Sequence, residues 1–178
     1  MHATLITGNE GKLAEFKRLL RGHLTFDHLS ANLPEIQSLK IEAIVEEKLR
    51  AAFQLIRRPV VVEDVSAGID SLGGLPGPFI KFFEHKMGRD ALYQLRGETA
   101  ATITCTIGYY NGKTMLTATS EVHGRTVAPR GNFGFGFDHC FQPLGQDKTY
   151  AEMESDEKDR VSHRGLAVAE LLRLLKQL

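Results

Sequence analysis

Residues 60–83 read VVVEDVSAGIDSLGGLPGPFIKFF, and their reading decides the fold. Three valines open the stretch. Their β-branched side chains favour a pleated sheet, so VVVE reads as a buried strand. Glu63 and Asp64 stand side by side where that apolar run ends. Adjacent carboxylates repel, and each one taken out of water costs free energy unless something pairs with it. A hard metal cation is one such partner. A Gly/Pro-rich turn follows, then Lys81 in an aromatic cluster. A short helix is expected after Pro78, carrying Ile80, Phe83 and Met87.

Working outward, HATLIT at residues 2–7 reads as a first strand and GNEGK as a turn. Leu13, Phe16 and Leu20 then mark an amphipathic helix with Asn9 as its cap. LTFDHL reads as a second strand. Ile41, Val45, Leu49, Ala52 and Ile56 form a stripe at helical spacing that Pro59 ends. TITCTIGYY alternates, with Ile103, Cys105, Ile107 and Tyr109 on one face. TMLTATSEVHGRTV adds one or two antiparallel strands. Ala167, Leu171, Leu174, Leu175 and Leu178 form a closing helix with Ser162 as N-cap. The order is βαβαβ, then a β-rich middle, then a helix, which predicts an α/β protein with a mixed sheet and flanking helices. No linker interrupts the composition, so residues 1–178 read as one domain.

Lys and Arg number 22, as do Asp and Glu, for a formal net charge of +0. A sequence-independent nucleic-acid binder needs a basic surface, so that class is excluded. A small anion held by a few placed cations is not. Cys105 and Cys140 form no CxxC and no disulfide framework, which predicts a reducing compartment. No apolar run reaches membrane-spanning length, and the start lacks a signal peptide's plan. The expectation is a cytoplasmic protein without a membrane partner.

Four stretches carry chemistry. TGNEGK at residues 7–12 joins a strand to a helix, where backbone N–H groups and Lys12 favour anions. It lacks the GxxxxGK[ST] spacing of a P-loop, and a strand–helix turn with a surface lysine reads equally well. LPEIQ places Glu35 in a loop. With Glu63 and Asp64 it offers three carboxylates for Mg²⁺ or Mn²⁺, whereas the histidines show no zinc spacing. GNFGFGFDHCF at residues 131–141 interleaves glycine with aromatics. It offers Phe135 or Phe137 to a base, or pins a loop to the core. EKDRVSHRG at residues 157–165 places Lys158, His163 and Arg164 just before and within the first turn of the last helix. Cations there oppose the helix dipole; an anionic or acceptor-rich ligand would compensate them, or the stretch is a solvated basic turn.

Taken together, TGNEGKLAEF, LPEIQ, VEDVSAGIDSLGGLPGPFIKFF, GFGFDHCFQP, TYAEM and EKDRVSHRGLA resemble the inosine triphosphate pyrophosphatase (Ham1-like) family, in that family's order and over nearly the whole chain. LPEIQ, GLPGPFIKFF and CFQP lean toward its eukaryotic and archaeal branch. The resemblance implies a twisted mixed sheet with two lobes around a central cleft, and a homodimer. It implies Mg²⁺-dependent hydrolysis of ITP, dITP and XTP to monophosphate and pyrophosphate. Carried over by position, Thr7, Gly8, Asn9, Glu10, Gly11 and Lys12 hold phosphate. Glu35 and Asp64 bind metal, with Asp64 the proton acceptor and Glu63 sharing metal duty or supporting Asp64. Lys48 and Lys81 contact the triphosphate. Phe135, Gly136, Phe137, Asp138, Lys158, His163 and Arg164 contact the nucleoside.

The chain departs from the family at three places. Val65 and Ser66 stand where a hydroxyl residue usually leads, His139 replaces a proline after Asp138, which predicts a looser loop, and Asp159 replaces an asparagine. Two competing readings are a Maf-like pyrophosphatase for dTTP or UTP, which SHRG and FGFD disfavour, and a nucleotide sensor that no longer hydrolyses, which only Val65 supports.

Overall fold

The computed structural model describes residues 2–178. Strand β1 (His2–Ile6) runs through a short turn into helix α1 (Glu10–Leu19), and β2 (Thr25–Leu29) returns parallel to β1. Helix α2 (Ile41–Ile56) follows, and β3 (Val60–Ile69) pairs parallel with β1 on its other side. Then come β4 (Leu75–Gly77), α3 (Ile80–Met87), α4 (Ala91–Arg96), β5 (Thr99–Tyr110) and β6 (Met115–Thr126). The chain closes with β7 (Phe141–Pro143), α5 (Ser155–Val161) and α6 (His163–Leu175). The strands form one seven-stranded mixed sheet in the order β2-β1-β3-β5-β6-β7, with β4 antiparallel on β3. The α/β class with a mixed sheet is therefore as expected.

The chain divides into two compact units. The first holds Met1–Asp64, Cys105–Thr119 and Leu166–Leu178, and the second holds Val65–Thr104 and Ser120–Gly165. In the first unit the α2 stripe packs as its spacing predicts: Val45, Leu49 and Ala52 are buried with Ile6, Val60 and Val62. Gly108 on β5 permits this approach. A Cβ there would stand 2.5 Å from Leu49 Cδ1 and 2.7 Å from Val45 Cγ1. In the second unit the rings of Phe141 and Tyr150 lie 5.3 Å apart, and Tyr150 and His163 5.7 Å.

Two sequence expectations need correction. The strand does not end at Glu63: Val65, Ala67 and Ile69 stay buried, and β3 continues to Ile69. The carboxylates are thus the fourth and fifth residues of a ten-residue strand. Lys158 precedes the last helix, as expected. It lies in α5, whose backbone ends where Ser162 turns extended. Leu178 lies beyond α6 and is exposed, because the helix stops at Leu175. The Ser162 cap is as expected, with its Oγ accepting from the Gly165 N–H at 3.1 Å. Among the described residues no helix is long and apolar enough to cross a membrane.

Candidate active site

In the first unit, β1 delivers the chain into the Thr7–Lys12 turn. Thr7 Oγ1 accepts from the Asn9 N–H at 3.1 Å, and Asn9 Oδ1 accepts from the Lys12 N–H at 2.9 Å. Asn9 is thus the N-cap of α1, as its position predicts. Gly8, Asn9 and Glu10 are exposed and Gly11 is half-buried, so the turn's backbone faces water.

Successive side chains on a strand point to opposite faces. Glu63 and Asp64 therefore part, and each meets its own lysine. Glu63 Oε2 pairs with Lys12 Nζ at 2.6 Å, while its Oε1 accepts from the Cys105 thiol at 3.4 Å. Asp64 Oδ2 lies 3.0 Å from Lys48 Nζ, which also reaches Glu35 Oε1 at 2.7 Å. This resolves the like-charge pair locally: the two carboxylates are separated by the pleat and neutralised by cations from α1 and α2. Burial alone would pull the Lys48 ammonium down. Asp64 and then Glu35 outweigh that, and hold it above its ordinary value. Glu35 and Asp64 thus gather round one positive charge, and Glu63 belongs to a separate pair. Among the described residues, no three His, Cys, Asp or Glu side chains converge as a metal-binding group.

The second unit holds a different cluster. The 3-10 turn Gly136–Cys140 presents Asp138, whose Oδ2 accepts from the Phe135 N–H at 2.8 Å and from Lys158 Nζ at 2.6 Å. Both side chains are about 5% exposed or less. Lys158 therefore has an internal anion, which accounts for a buried ammonium without a ligand. Its Nζ also lies 5.3 Å from the Phe135 ring centre and 5.5 Å from that of Tyr150. The Arg164 guanidinium, one of the largest fully buried side chains, lies 5.5 Å from the Phe135 ring. Phe137 is buried with its ring 5.9 Å from His163, and the His163 carbonyl accepts from Ser120 Oγ at 2.5 Å. Phe135 is half-buried and Gly136 beside it likewise. Phe135 is thus the more open ring, with two cations against it.

Lys81 stands exposed on α3 in the second unit, 5.2 Å from the Phe82 ring. His139 does not loosen its loop. Its Nε2 meets Asp90 Oδ1 at 2.5 Å and its Nδ1 meets the Gly136 carbonyl at 3.1 Å.

Cys105, Tyr150, Asp90 and Ser120 stand beside the expected site residues without being among them. Cys105 gave one signal, its place on the alternating buried face. Tyr150 gave one within TYAEM. Asp90 and Ser120 gave none, because their partners are 49 and 43 residues away in sequence.

Comparison with known proteins bears on the whole chain. The sequence profile of the Ham1 family matches residues 3–174. A Schizosaccharomyces pombe protein named inosine triphosphate pyrophosphatase is 39% identical over 171 residues, covering 93% of this chain and 90% of that one. A Trypanosoma cruzi protein named inosine triphosphate pyrophosphatase 2 is 40% identical over 174 residues, covering 94% and 89%. The solved structure of a HAM1 protein from Coxiella burnetii superposes with a TM-score of 0.82 at 25% identity, over 100% of both chains.

Proposed function

The chain belongs to the Ham1 family, and from that premise we propose that it hydrolyses noncanonical purine nucleoside triphosphates such as ITP, dITP and XTP to the nucleoside monophosphate and pyrophosphate. The observation that carries this reading is the interleaving of Lys12 and Lys48 with Glu63, Asp64 and Glu35 around β3. Phosphoryl transfer asks the protein for little covalent chemistry. It asks for placed charge and an oriented nucleophile.

Glu35 and Asp64 fit a divalent metal in donor type. Both are hard oxygen donors, and both already gather round a single cation, the Lys48 ammonium. Mg²⁺ or Mn²⁺ takes one or two protein carboxylates together with waters and phosphate oxygens. When bound, such a metal supplies positive charge to the phosphate oxygens. Asp64 orients or deprotonates the water that attacks the α-phosphorus. Glu63, engaged by Lys12 and Cys105, holds Lys12 at the mouth of the phosphate-binding turn. The backbone N–H groups of residues 7–12 receive phosphate oxygens. Lys12 and Lys48 neutralise the outer phosphates, and with them the charge that develops on the leaving pyrophosphate.

In the second unit the base stacks on Phe135, with Gly136, Phe137 and Asp138 shaping the turn beside it. Lys158, His163 and Arg164 supply donors. Inosine and xanthine present a 6-oxygen acceptor, whereas adenine presents an amino donor that would leave two donors facing each other. A site matched in hydrogen bonds discriminates by roughly 10⁴. By the same inference the chain acts as a single-domain homodimer in the cytoplasm, in keeping with two buried cysteines that form no disulfide.

The test is incubation with ITP, XTP and ATP plus Mg²⁺, with products identified by phosphorus NMR. Monophosphate and pyrophosphate from ITP and XTP, with ATP little consumed, are expected. EDTA should abolish turnover, and Mg²⁺ or Mn²⁺ should restore it. Orthophosphate and diphosphate as primary products would overturn the assignment.

A further inference from the structure

We propose that His139 is a positioning residue for the nucleoside-binding turn, acting as an imidazolium strut between Asp90 and the Gly136 carbonyl. The inference rests on the function proposed above only in its substrate readout. The side chain is 10% exposed and its ring is bound at both nitrogens, Nε2 to Asp90 Oδ1 at 2.5 Å and Nδ1 to the Gly136 carbonyl at 3.1 Å. A carboxylate and a carbonyl both accept only, so the arrangement is complete when both ring nitrogens donate.

Asp90 supplies a second, independent observation. It occupies the N-cap of α4, where an aspartate ordinarily accepts from the helix backbone, yet its side chain makes no capping bond. It reaches His139 instead.

Several charged groups surround the ring. Asp90 faces it directly. Glu84 borders Gly136, its Oε1 standing 2.8 Å from where a Cβ on that glycine would be, and Asp138 adjoins in sequence. The opposing cations are Arg89, whose Nε donates to the same Gly136 carbonyl at 3.3 Å, and Lys158, already paired with Asp138; the Arg130 guanidinium is directed to Gln142, the Asp147 carbonyl and Glu152. The strut therefore fixes both ends of the turn: Gly136 by its carbonyl, and Cys140 through the neighbouring backbone. Asp138 and Phe135 are held between these anchors and α5.

Ring ¹⁵N NMR of the full chain near neutral pH is expected to show both His139 nitrogens bearing protons. A ring with one bare nitrogen overturns the strut whether or not any nucleotide is hydrolysed. With ITP as substrate, Asp90→Ala and His139→Ala should each raise KM roughly tenfold, the factor a charge-assisted hydrogen bond supplies, with kcat changed less. Asp90→Asn, whose amide oxygen still accepts, should recover part of the loss. The double variant Asp90→Ala/His139→Ala should be no worse than either single one. Additive losses, or an unchanged KM in Asp90→Ala, would overturn the proposal. A wild-type chain inert toward ITP would instead overturn the function proposed above, and the NMR arm would still decide the strut.

Discussion

Lys48 holds two carboxylates with one ammonium, and its side chain is only 12% exposed. Removing one partner of a buried ion pair leaves the rest uncompensated, so Lys48→Ala should cost about 3 kcal/mol of unfolding free energy in urea titration. A loss under roughly 1 kcal/mol would place the cluster in the class of surface pairs. Asp64→Asn is a different probe. It removes charge at nearly constant shape and leaves Glu35 on Lys48. The fold should persist by circular dichroism while kcat for ITP falls at least about 100-fold, the lower range for a lost general base. A near-normal rate would remove Asp64 from the mechanism. At this scale the sequence showed which residue types carry charge. It did not show that Glu63 and Asp64 part to different lysines, because that depends on β3 continuing past them.

At the scale of elements, the contact between α2 and β5 is set by a missing side chain. A methyl group at position 108 would meet Leu49 and Val45 well inside contact distance, and both are buried without room to retreat. Gly108→Ala should therefore cost about 2 kcal/mol by overpacking, read as a lower denaturant midpoint at unchanged slope. Ser162→Ala should cost about 1 kcal/mol, since the Gly165 N–H loses its acceptor at the start of α6. The helices α1 and α2 were legible because their apolar spacing and the Asn9 cap are local signals. The hairpin of β3 with β4 was not. Its pairing needs Gly68, where a Cβ would lie 2.1 Å from the Gly74 carbonyl oxygen, and a lone glycine in a strand does not announce which backbone approaches it.

For the whole molecule, two buried groups tie stability to alkaline pH. Burial pushes the Cys140 thiol from 9.0 up to about 12, with the charges of Asp90, Glu84 and Asp138 adding to it. Lys48 is held above its ordinary 10.5 by Asp64 and Glu35 against burial. In both cases the folded state keeps a proton that the unfolded chain releases at lower pH. Their contribution is fully present below about pH 9 and declines as pH rises from 9.0 toward about 12, Lys48 joining above 10.5. The urea midpoint should fall over that range, and Cys140→Ala should flatten its first part. A midpoint constant to pH 11 would contradict this. Residue types and local periodicity fixed the strand and helix order, the Asn9 and Ser162 caps and the six motifs, because each depends on neighbours within a few positions. The division into two units, the lysine assigned to each carboxylate, and the reach of His139 to Asp90 were decided by tertiary structure. The chain passes between the units four times, so each is assembled from segments far apart in sequence. Partners brought together by such pairing leave no periodic trace, since a hydrogen bond across 49 residues is set by the register of the elements that carry its ends.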